Sequence, residues 1–219
     1  MSFTAGIDHA IAIPIAEAEL NGILHIPKEC IGLVLFAHGS GSSRLSVRNQ
    51  YVAKVFNKAK LATLLFDLLT PEEDAIDNFT REFRFDIPFL ASRLLDTTHW
   101  CSDELSDYSL NFGYFGASTG GGAAIVAAAR RPQYVKAVVS RGGRPDLAGD
   151  SLPLLKAPTL LIVGGNDEVV IEMNQEAMAQ MNCIKKLEIV PGATHLFEEP
   201  GALDIVANLA KIWFMKHLI

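Results

Sequence analysis

Residues 112–124 read FGYFGASTGGGAA, an apolar run that leads into a glycine-rich turn with a single serine, Ser118. The apolar run predicts a strand that is buried on both faces, and the small residues that continue to Arg130 predict a helix. Gly116 and Gly120 flank the serine, and their lack of a Cβ atom allows the chain to turn sharply between strand and helix. The pattern therefore predicts a serine at the tip of a tight, strained turn.

Further apolar runs of the same character alternate with stretches of helical spacing. This alternation is typical of a parallel sheet that helices cover on both faces. The predicted strands are residues 32–37, 62–66, 112–115, 135–140, 159–163 and 186–190. The predicted helices are residues 47–60, about 79–100 with Pro88 at a kink or a start, 119–130, 169–181 and about 202–218.

The N-terminal segment has a different pattern. Residues 7–27 alternate apolar and polar side chains around a break at 18–22, which predicts an antiparallel hairpin at the edge of the sheet. The predicted fold class is therefore α/β: a three-layer α/β/α sandwich with a mostly parallel sheet and an antiparallel N-terminal edge hairpin. Residues 141–157 are too few to hold a lid domain, and no linker or repeat interrupts the pattern. One domain is predicted over residues 1–219.

The charge of the chain limits its partners. The formal net charge is -6, and no run of Lys or Arg is present. This charge argues against nucleic acid and against an anionic membrane surface as the main partner. No segment offers the ~20 consecutive apolar residues of a spanning helix, and the N-terminal residues lack the basic start of a signal peptide. We therefore predict a cytoplasmic protein that acts on a small molecule.

The sequence holds no pattern that is typical of a metal or cofactor site. The three cysteines lie far apart at positions 30, 101 and 183, so neither a zinc ribbon nor a disulfide framework is indicated. No dinucleotide glycine fingerprint follows a predicted strand, and the glycine-rich loop 39–44 lacks the GK[ST] ending of a nucleotide-binding loop. We predict that the protein uses no metal and no cofactor.

Two polar residues follow later strands in the order that a catalytic triad requires. Asp167 follows the fifth predicted strand and His195 follows the sixth, so both are expected at the sheet edge that carries the GASTG turn. A serine hydroxyl needs a histidine base, which a carboxylate holds in the correct tautomer. We predict Ser118 as the nucleophile, His195 as the general base and Asp167 as the orienting acid. Glu168 remains the alternative acid.

The negative charge that develops on a substrate carbonyl oxygen requires N–H donors. In a G-x-S-x-G turn one donor is the amide after the nucleophile, here that of Thr119 at the start of a helix. The loop after the first predicted strand supplies the second candidate, the amide of Ser40. His38 precedes this loop, and we assign it a structural role in fixing the loop rather than the role of base.

Together these residues resemble the α/β-hydrolase family. The resemblance rests on His38-Gly39 after the early strand, the GASTG motif at 116–120, Asp167 and His195, and it extends over residues 31–219. The small frame without a lid is similar to dienelactone hydrolase-like proteins. The resemblance implies hydrolysis of small carboxyl esters or related acyl bonds through an acyl-enzyme. In one departure, dienelactone hydrolases proper use a cysteine nucleophile, whereas this chain has a serine.

Arginines are frequent in the segments that follow the predicted strands. Because a guanidinium group binds carboxylate or phosphate through two parallel hydrogen bonds, we hypothesise an anionic substrate group near Arg44 and Arg141. The alternative is that these arginines pair with loop carboxylates and stiffen the loops. The arginines concerned are Arg44, Arg48, Arg81, Arg84, Arg141 and Arg144, and the carboxylates are those of Glu72, Glu73, Asp74, Asp77 and Asp146.

Two other functions are compatible with the same residues. The chain could be a binding or regulatory module that keeps the hydrolase frame without turnover. It could also be an acyltransferase or a perhydrolase, since nucleophiles other than water can intercept an acyl-enzyme. A serine-reactive probe separates the first alternative from a hydrolase, and product analysis separates the second.

Overall fold

The structure is a computed structural model, and it describes residues 3–16 and 18–219. Its strands are β1 (Asp8–Ile15), β2 (Ala18–His25), β3 (Gly32–Ala37), β4 (Leu61–Phe66), β5 (Phe112–Ala117), β6 (Val135–Arg141), β7 (Thr159–Gly164) and β8 (Lys185–Val190). Within the described residues they form one sheet in the order β1-β2-β4-β3-β5-β6-β7-β8. Strands β3 to β8 are parallel, and β1 and β2 are antiparallel. The predicted mostly parallel sheet with an antiparallel edge hairpin is therefore confirmed.

Helices cover both faces of this sheet. They are α1 (Val47–Lys58), α2 (Pro71–Thr80), α3 (Ile87–Glu104), α4 (Thr119–Arg130), α5 (Glu168–Gln180) and α6 (Ala202–His217). On one face, α1 and α6 pack on the sheet through the rings of Phe36, Phe56, Phe115 and Phe214, whose centroids lie 5.0 to 5.8 Å apart. On the other face, α3 and α4 enclose a second apolar cluster that contains Tyr114. The three layers of the predicted sandwich are thus present.

The predicted break in the N-terminal hairpin is wrong. It was expected at 18–22, but β2 begins at Ala18, and Ala18 pairs with Ile15 of β1. Gly22 lies inside β2, where an added Cβ atom would come within 3.0 Å of the Ile11 side chain and 3.2 Å of the Leu64 side chain. Close packing against the neighbouring strands, rather than a turn, explains a glycine at this position.

The predicted helix 79–100 is also wrong, because the structure has two helices, α2 and α3, in this part of the chain. A capping box starts α2: the Thr70 hydroxyl accepts from the Glu73 amide at 3.2 Å, and the Glu73 carboxylate accepts from the Thr70 amide at 2.8 Å. Asp86 caps α3, and Pro88 lies in its first turn. Pro88 therefore starts a helix and does not kink one.

The connection between β6 and β7 is short, as predicted. It contains a 3-10 segment, Pro145–Leu154, and this fully described stretch holds no insertion of the size of a lid domain. Among the residues that the structure describes, no helix has the length and apolar character needed to cross a membrane.

Candidate active site

Ser118 occupies the turn between β5 and α4, at the carboxyl end of a central strand. Its backbone has φ 50° and ψ -123°, a conformation that costs a residue with a Cβ atom roughly 1–3 kcal/mol. The flanking glycines make the turn possible. A Cβ atom at Gly116 would lie 2.5 Å from the carbonyl oxygen of Gly120, and one at Gly120 would lie 2.1 Å from the carbonyl oxygen of Ala37. The tight turn predicted around Ser118 is present.

The lack of space for a Cβ atom at Gly120 predicts that this position is critical for stability. We expect Gly120→Ala to lower the free energy of unfolding by about 3 kcal/mol or more, because the new methyl group meets backbone that cannot rotate away. Urea unfolding followed by circular dichroism measures this loss. Gly149→Ala is the control: Gly149 has a positive φ of 47°, which Gly120 does not, but no atom lies within 4 Å of its added Cβ, so this variant is opposed by backbone strain alone and should lose less stability. Equal losses in the two variants would contradict the steric explanation.

His195 is held by a carboxylate at the same edge of the sheet. It follows β8, and its Nδ1 lies 2.7 Å from Oδ2 of Asp167, which precedes α5 at the end of β7. The side chain of Asp167 is 17 % exposed, whereas Glu168 is exposed at the next position. Because Asp167 occupies Nδ1, Nε2 is the ring nitrogen left to act on a nucleophile. Of the two candidate acids, Asp167 is the one that contacts the histidine.

A cavity of about 210 Å³ joins these residues. Ser118 and His195 both line it, together with Ser40 and Arg141. Asp167 reaches it through its hydrogen bond to His195. The structure thus places the predicted nucleophile and the predicted base on one small cavity, which Arg141 also lines, and the predicted acid bonds the base.

The loop after β3 lies directly against the predicted nucleophile. A Cβ atom added at Gly39 would lie 3.1 Å from Cβ of Ser118, and the hydroxyls of Ser40 and Thr119 are 3.1 Å apart. The two residues predicted to donate to an oxyanion are therefore neighbours beside Ser118. That their backbone amides act as the donors stays a prediction.

Both ring nitrogens of His38 form hydrogen bonds with backbone groups. Its Nε2 accepts from the amide of Leu68 at 3.0 Å, so the proton lies on Nδ1, which donates to the carbonyl oxygen of Gly39 at 3.0 Å. Burial lowers the pKa of His38, so the neutral ring is favoured. These contacts fix the loop after β3, which is the structural role that the sequence suggested.

Two residues that the sequence analysis missed fix the loops around the site: Asn166 joins the loop of Asp167 to that of His195, and Glu199 closes the loop of His195 on itself. The side-chain amide of Asn166 donates to the carbonyl oxygen of Gly192 at 2.9 Å, and its backbone amide donates to the carbonyl oxygen of Ala193 at 2.9 Å. Glu199 accepts from both the hydroxyl and the amide of Thr194, and the hydroxyl bond is the main cause of its lowered pKa. The adjacency of Asn166 to Asp167 was visible in the sequence, but its partner was not.

The two predicted substrate-binding arginines lie in different places. Arg44 pairs with Asp67 through its guanidinium group and its backbone amide, and it lines a separate cavity of about 620 Å³. Arg141 lines the cavity of Ser118. The loop-stiffening alternative describes other arginines correctly, since Arg84 pairs with Asp77 and Arg144 pairs with Asp146.

The model of the dienelactone hydrolase family matches residues 54–212 of this chain. The chain belongs to the dienelactone hydrolase family. A dienelactone hydrolase from Anabaena variabilis is 59% identical, and its crystal structure matches with a TM-score of 0.95 over 97% of this chain and 99% of that one. Est1E from Butyrivibrio proteoclasticus, at 19% identity, has a TM-score of 0.74 over 94% of this chain and 98% of its own, which shows the same fold. The family resemblance inferred from the motifs is confirmed.

Two Mycobacterium tuberculosis proteins, from different strains, are 57% identical to this member of the family over 211 residues. The match covers 96% of this chain and 47% of each relative, so the chain spans about half the length of the curated relatives it matches. Both relatives bear the provisional name of a phosphoribosyl transferase. That name describes proteins about twice as long as this chain.

Proposed function

We propose that the protein is a serine hydrolase that cleaves small carboxyl esters or related acyl bonds through an acyl-enzyme on Ser118. The observation that carries the proposal is the 2.7 Å contact between Asp167 and His195, because this histidine lines the same cavity as a serine in a strained turn. Backbone strain of this kind persists only where the surrounding contacts impose it, and such positions cluster at active sites. A histidine oriented by a carboxylate is the base that a serine hydroxyl needs.

In the proposed reaction Ser118 Oγ attacks the substrate carbonyl carbon while Nε2 of His195 takes the hydroxyl proton. The imidazolium is stabilised by the carboxylate of Asp167, and the amides of Ser40 and Thr119 stabilise the negative oxygen of the tetrahedral intermediate. When the intermediate collapses, the C–O bond to the leaving alcohol breaks and His195 returns the proton to that alcohol. Water then attacks the acyl-enzyme by the same steps, and the acid and free serine are released.

The name of the two longer relatives does not change this proposal. It belongs to proteins of which this chain matches about half, and the residues gathered here are those of acyl chemistry. We therefore assign phosphoribosyl transfer to neither the cavity nor the triad.

Fluorophosphonate labelling tests the proposal. We expect intact-mass analysis to show one probe per folded chain, and peptide mapping to place it on Ser118. Heat-denatured protein is the control and is expected to stay unlabelled, because activation requires the folded triad. The labelled enzyme should also lose turnover of p-nitrophenyl acetate.

Other results of the same experiment would contradict the proposal. A folded chain that takes no probe would indicate the binding or regulatory module instead. Free acid formed in smaller amount than p-nitrophenol, in the presence of an added alcohol or peroxide, would indicate acyl transfer or perhydrolysis.

A further inference from the structure

Arg141 is a buried charge beside the proposed nucleophile. It ends β6, and its carbonyl oxygen accepts from the amide of Ser118 at 3.3 Å. The residue is only 6% exposed, and its side chain lines the same cavity as Ser118 and His195. Arg141 therefore borders the space that a substrate of Ser118 would enter.

The surroundings of Arg141 leave its charge without a counter-ion. Nη2 donates to the Asn49 side-chain oxygen at 3.3 Å, and Cζ lies 5.8 Å from the centroid of the Phe197 ring. The buried Nε has no acceptor within the described part of the chain, and no carboxylate of residues 3–16 or 18–219 forms an ion pair with this group. An uncompensated buried charge is costly unless a partner joins it.

A second guanidinium group adds to the positive charge. Arg48, in the first turn of α1, lines the same cavity, and its buried Nε likewise has no acceptor among the described residues. Its Nη1 bonds the mostly exposed Glu198 at 3.1 Å. Burial, with a smaller contribution from Arg48, lowers the pKa of Arg141 to about 10, so the guanidinium group of Arg141 is still charged at neutral pH.

The neighbouring cavity has the opposite character. It shares Ser42 and Ser46 with the cavity of Ser118, but Asp67 and Asp74 line it, and its arginine, Arg44, is already paired with Asp67. An anionic group would be repelled there and attracted to Arg141. The cavity of Ser118, at about 210 Å³, has the volume of roughly seven water molecules, which suits a small group.

We propose that Arg141, Arg48 and Asn49 form an anion subsite, and that the physiological ester carries a carboxylate or phosphate group that binds there while Ser118 attacks the carbonyl carbon. The substrate part of this inference rests on the proposed function. The anion offsets the uncompensated charge of Arg141 and accepts a hydrogen bond from its unpaired Nε–H. Arg44, the other arginine that the sequence indicated, is outside the subsite.

Kinetics on matched esters test the substrate class. Mono-p-nitrophenyl adipate is the anionic substrate, its methyl ester is the neutral match, and the p-nitrophenyl ester of 4-phosphonobutyric acid represents phosphate. We expect Arg141→Met to lower kcat/KM for the preferred anionic ester by about 10- to 100-fold, and that for the neutral ester by less than about threefold. The anionic ester that the wild-type protein hydrolyses with the higher kcat/KM shows whether the subsite prefers a carboxylate or a phosphate group.

Two variants control this experiment. Arg131→Met removes one positive charge from the exposed end of α4, so it reports any effect of net charge alone. Arg48→Gln tests the subsite independently if Arg141→Met does not fold, and it should weaken the anionic ester selectively. Equal losses on the anionic and neutral esters, or no anionic preference in wild type, would overturn the proposal.

Binding separates failure of this proposal from failure of the proposed function. If Ser118 takes no probe and no ester turns over, the proposed function fails, and calorimetry with glutarate and inorganic phosphate still tests the subsite. We expect at least one of these anions to bind wild type about tenfold or more tightly than Arg141→Met. Equal affinity for the two proteins, or binding of neither anion to wild type, would overturn the subsite itself.

Discussion

Replacing Ser118 by alanine should lower kcat for p-nitrophenyl acetate by about 10⁴- to 10⁶-fold. The reason is that no acyl-enzyme can form, while the cavity and its charges remain to bind the ester. The fold should tolerate the change, because alanine keeps the Cβ atom that the turn at φ 50° already accommodates. Stopped-flow or long-time assays of purified protein measure the residual rate.

The control for this variant is Ser43→Ala. Ser43 lines the larger cavity that contains Arg44, and its hydroxyl accepts from the Leu45 amide at 3.2 Å. We expect its turnover to stay within about twofold of wild type. A Ser118→Ala protein that keeps wild-type kcat would show that another group forms the acyl-enzyme.

Asp167→Asn is expected to lower kcat by about 10³- to 10⁴-fold with little change in stability. An amide at this position donates to the imidazole instead of accepting from it, so the neutral ring is held in the wrong tautomer and the imidazolium loses its counter-charge. Asp167 makes no side-chain cap to α5, so the substitution removes no helix-capping bond. Steady-state kinetics and a urea titration of the same preparation measure both effects.

The neighbouring carboxylate supplies a matched control. Glu168→Gln removes one negative charge from the exposed first turn of α5, next to Asp167 in the chain but without its contact to His195. We expect kcat to change by less than about twofold and stability by about 0.3–1 kcal/mol. A large loss of turnover in Glu168→Gln, with little loss in Asp167→Asn, would reverse the assignment of the acid.

The central strands could be predicted from the sequence to within about two residues at each end. Strands β3 and β5 are buried along their whole length, so each appears as an uninterrupted apolar run. The order of Ser118, Asp167 and His195 in the chain could be predicted for a related reason. Each follows such a strand, and the carboxyl ends of parallel strands meet at one edge.

Helix α2 could not be predicted from apolar periodicity, because little of it is buried. It depends on the capping box at Thr70 and on Asp77, a side chain only 1% exposed that accepts from the amides of Phe83 and Arg84. Contacts of this kind join residues whose side-chain directions the sequence does not reveal. The N-terminal turn was misplaced for a similar reason, since Gly22 is explained only by the strands on either side of it.

The hydrogen-bond and ion-pair partners of the arginines also could not be predicted from the sequence. Arg44 and Arg48 are four positions apart, yet Arg44 reaches Asp67 and Arg48 enters the cavity of Ser118. The direction that each takes depends on where α1 begins, at Val47, with Ser46 as its cap. The pattern therefore predicted arginines near the site but not which of them would keep an unpaired charge.

At position 118 the residue that would stabilise the fold differs from the residue that the proposed reaction requires. Glycine adopts φ 50° and ψ -123° without the penalty that a Cβ atom brings, so glycine at position 118 would relieve the turn and remove the hydroxyl. A laboratory selection for survival at high temperature alone would therefore favour inactive chains. A selection that scores only reaction rate would keep serine and accept a less durable protein.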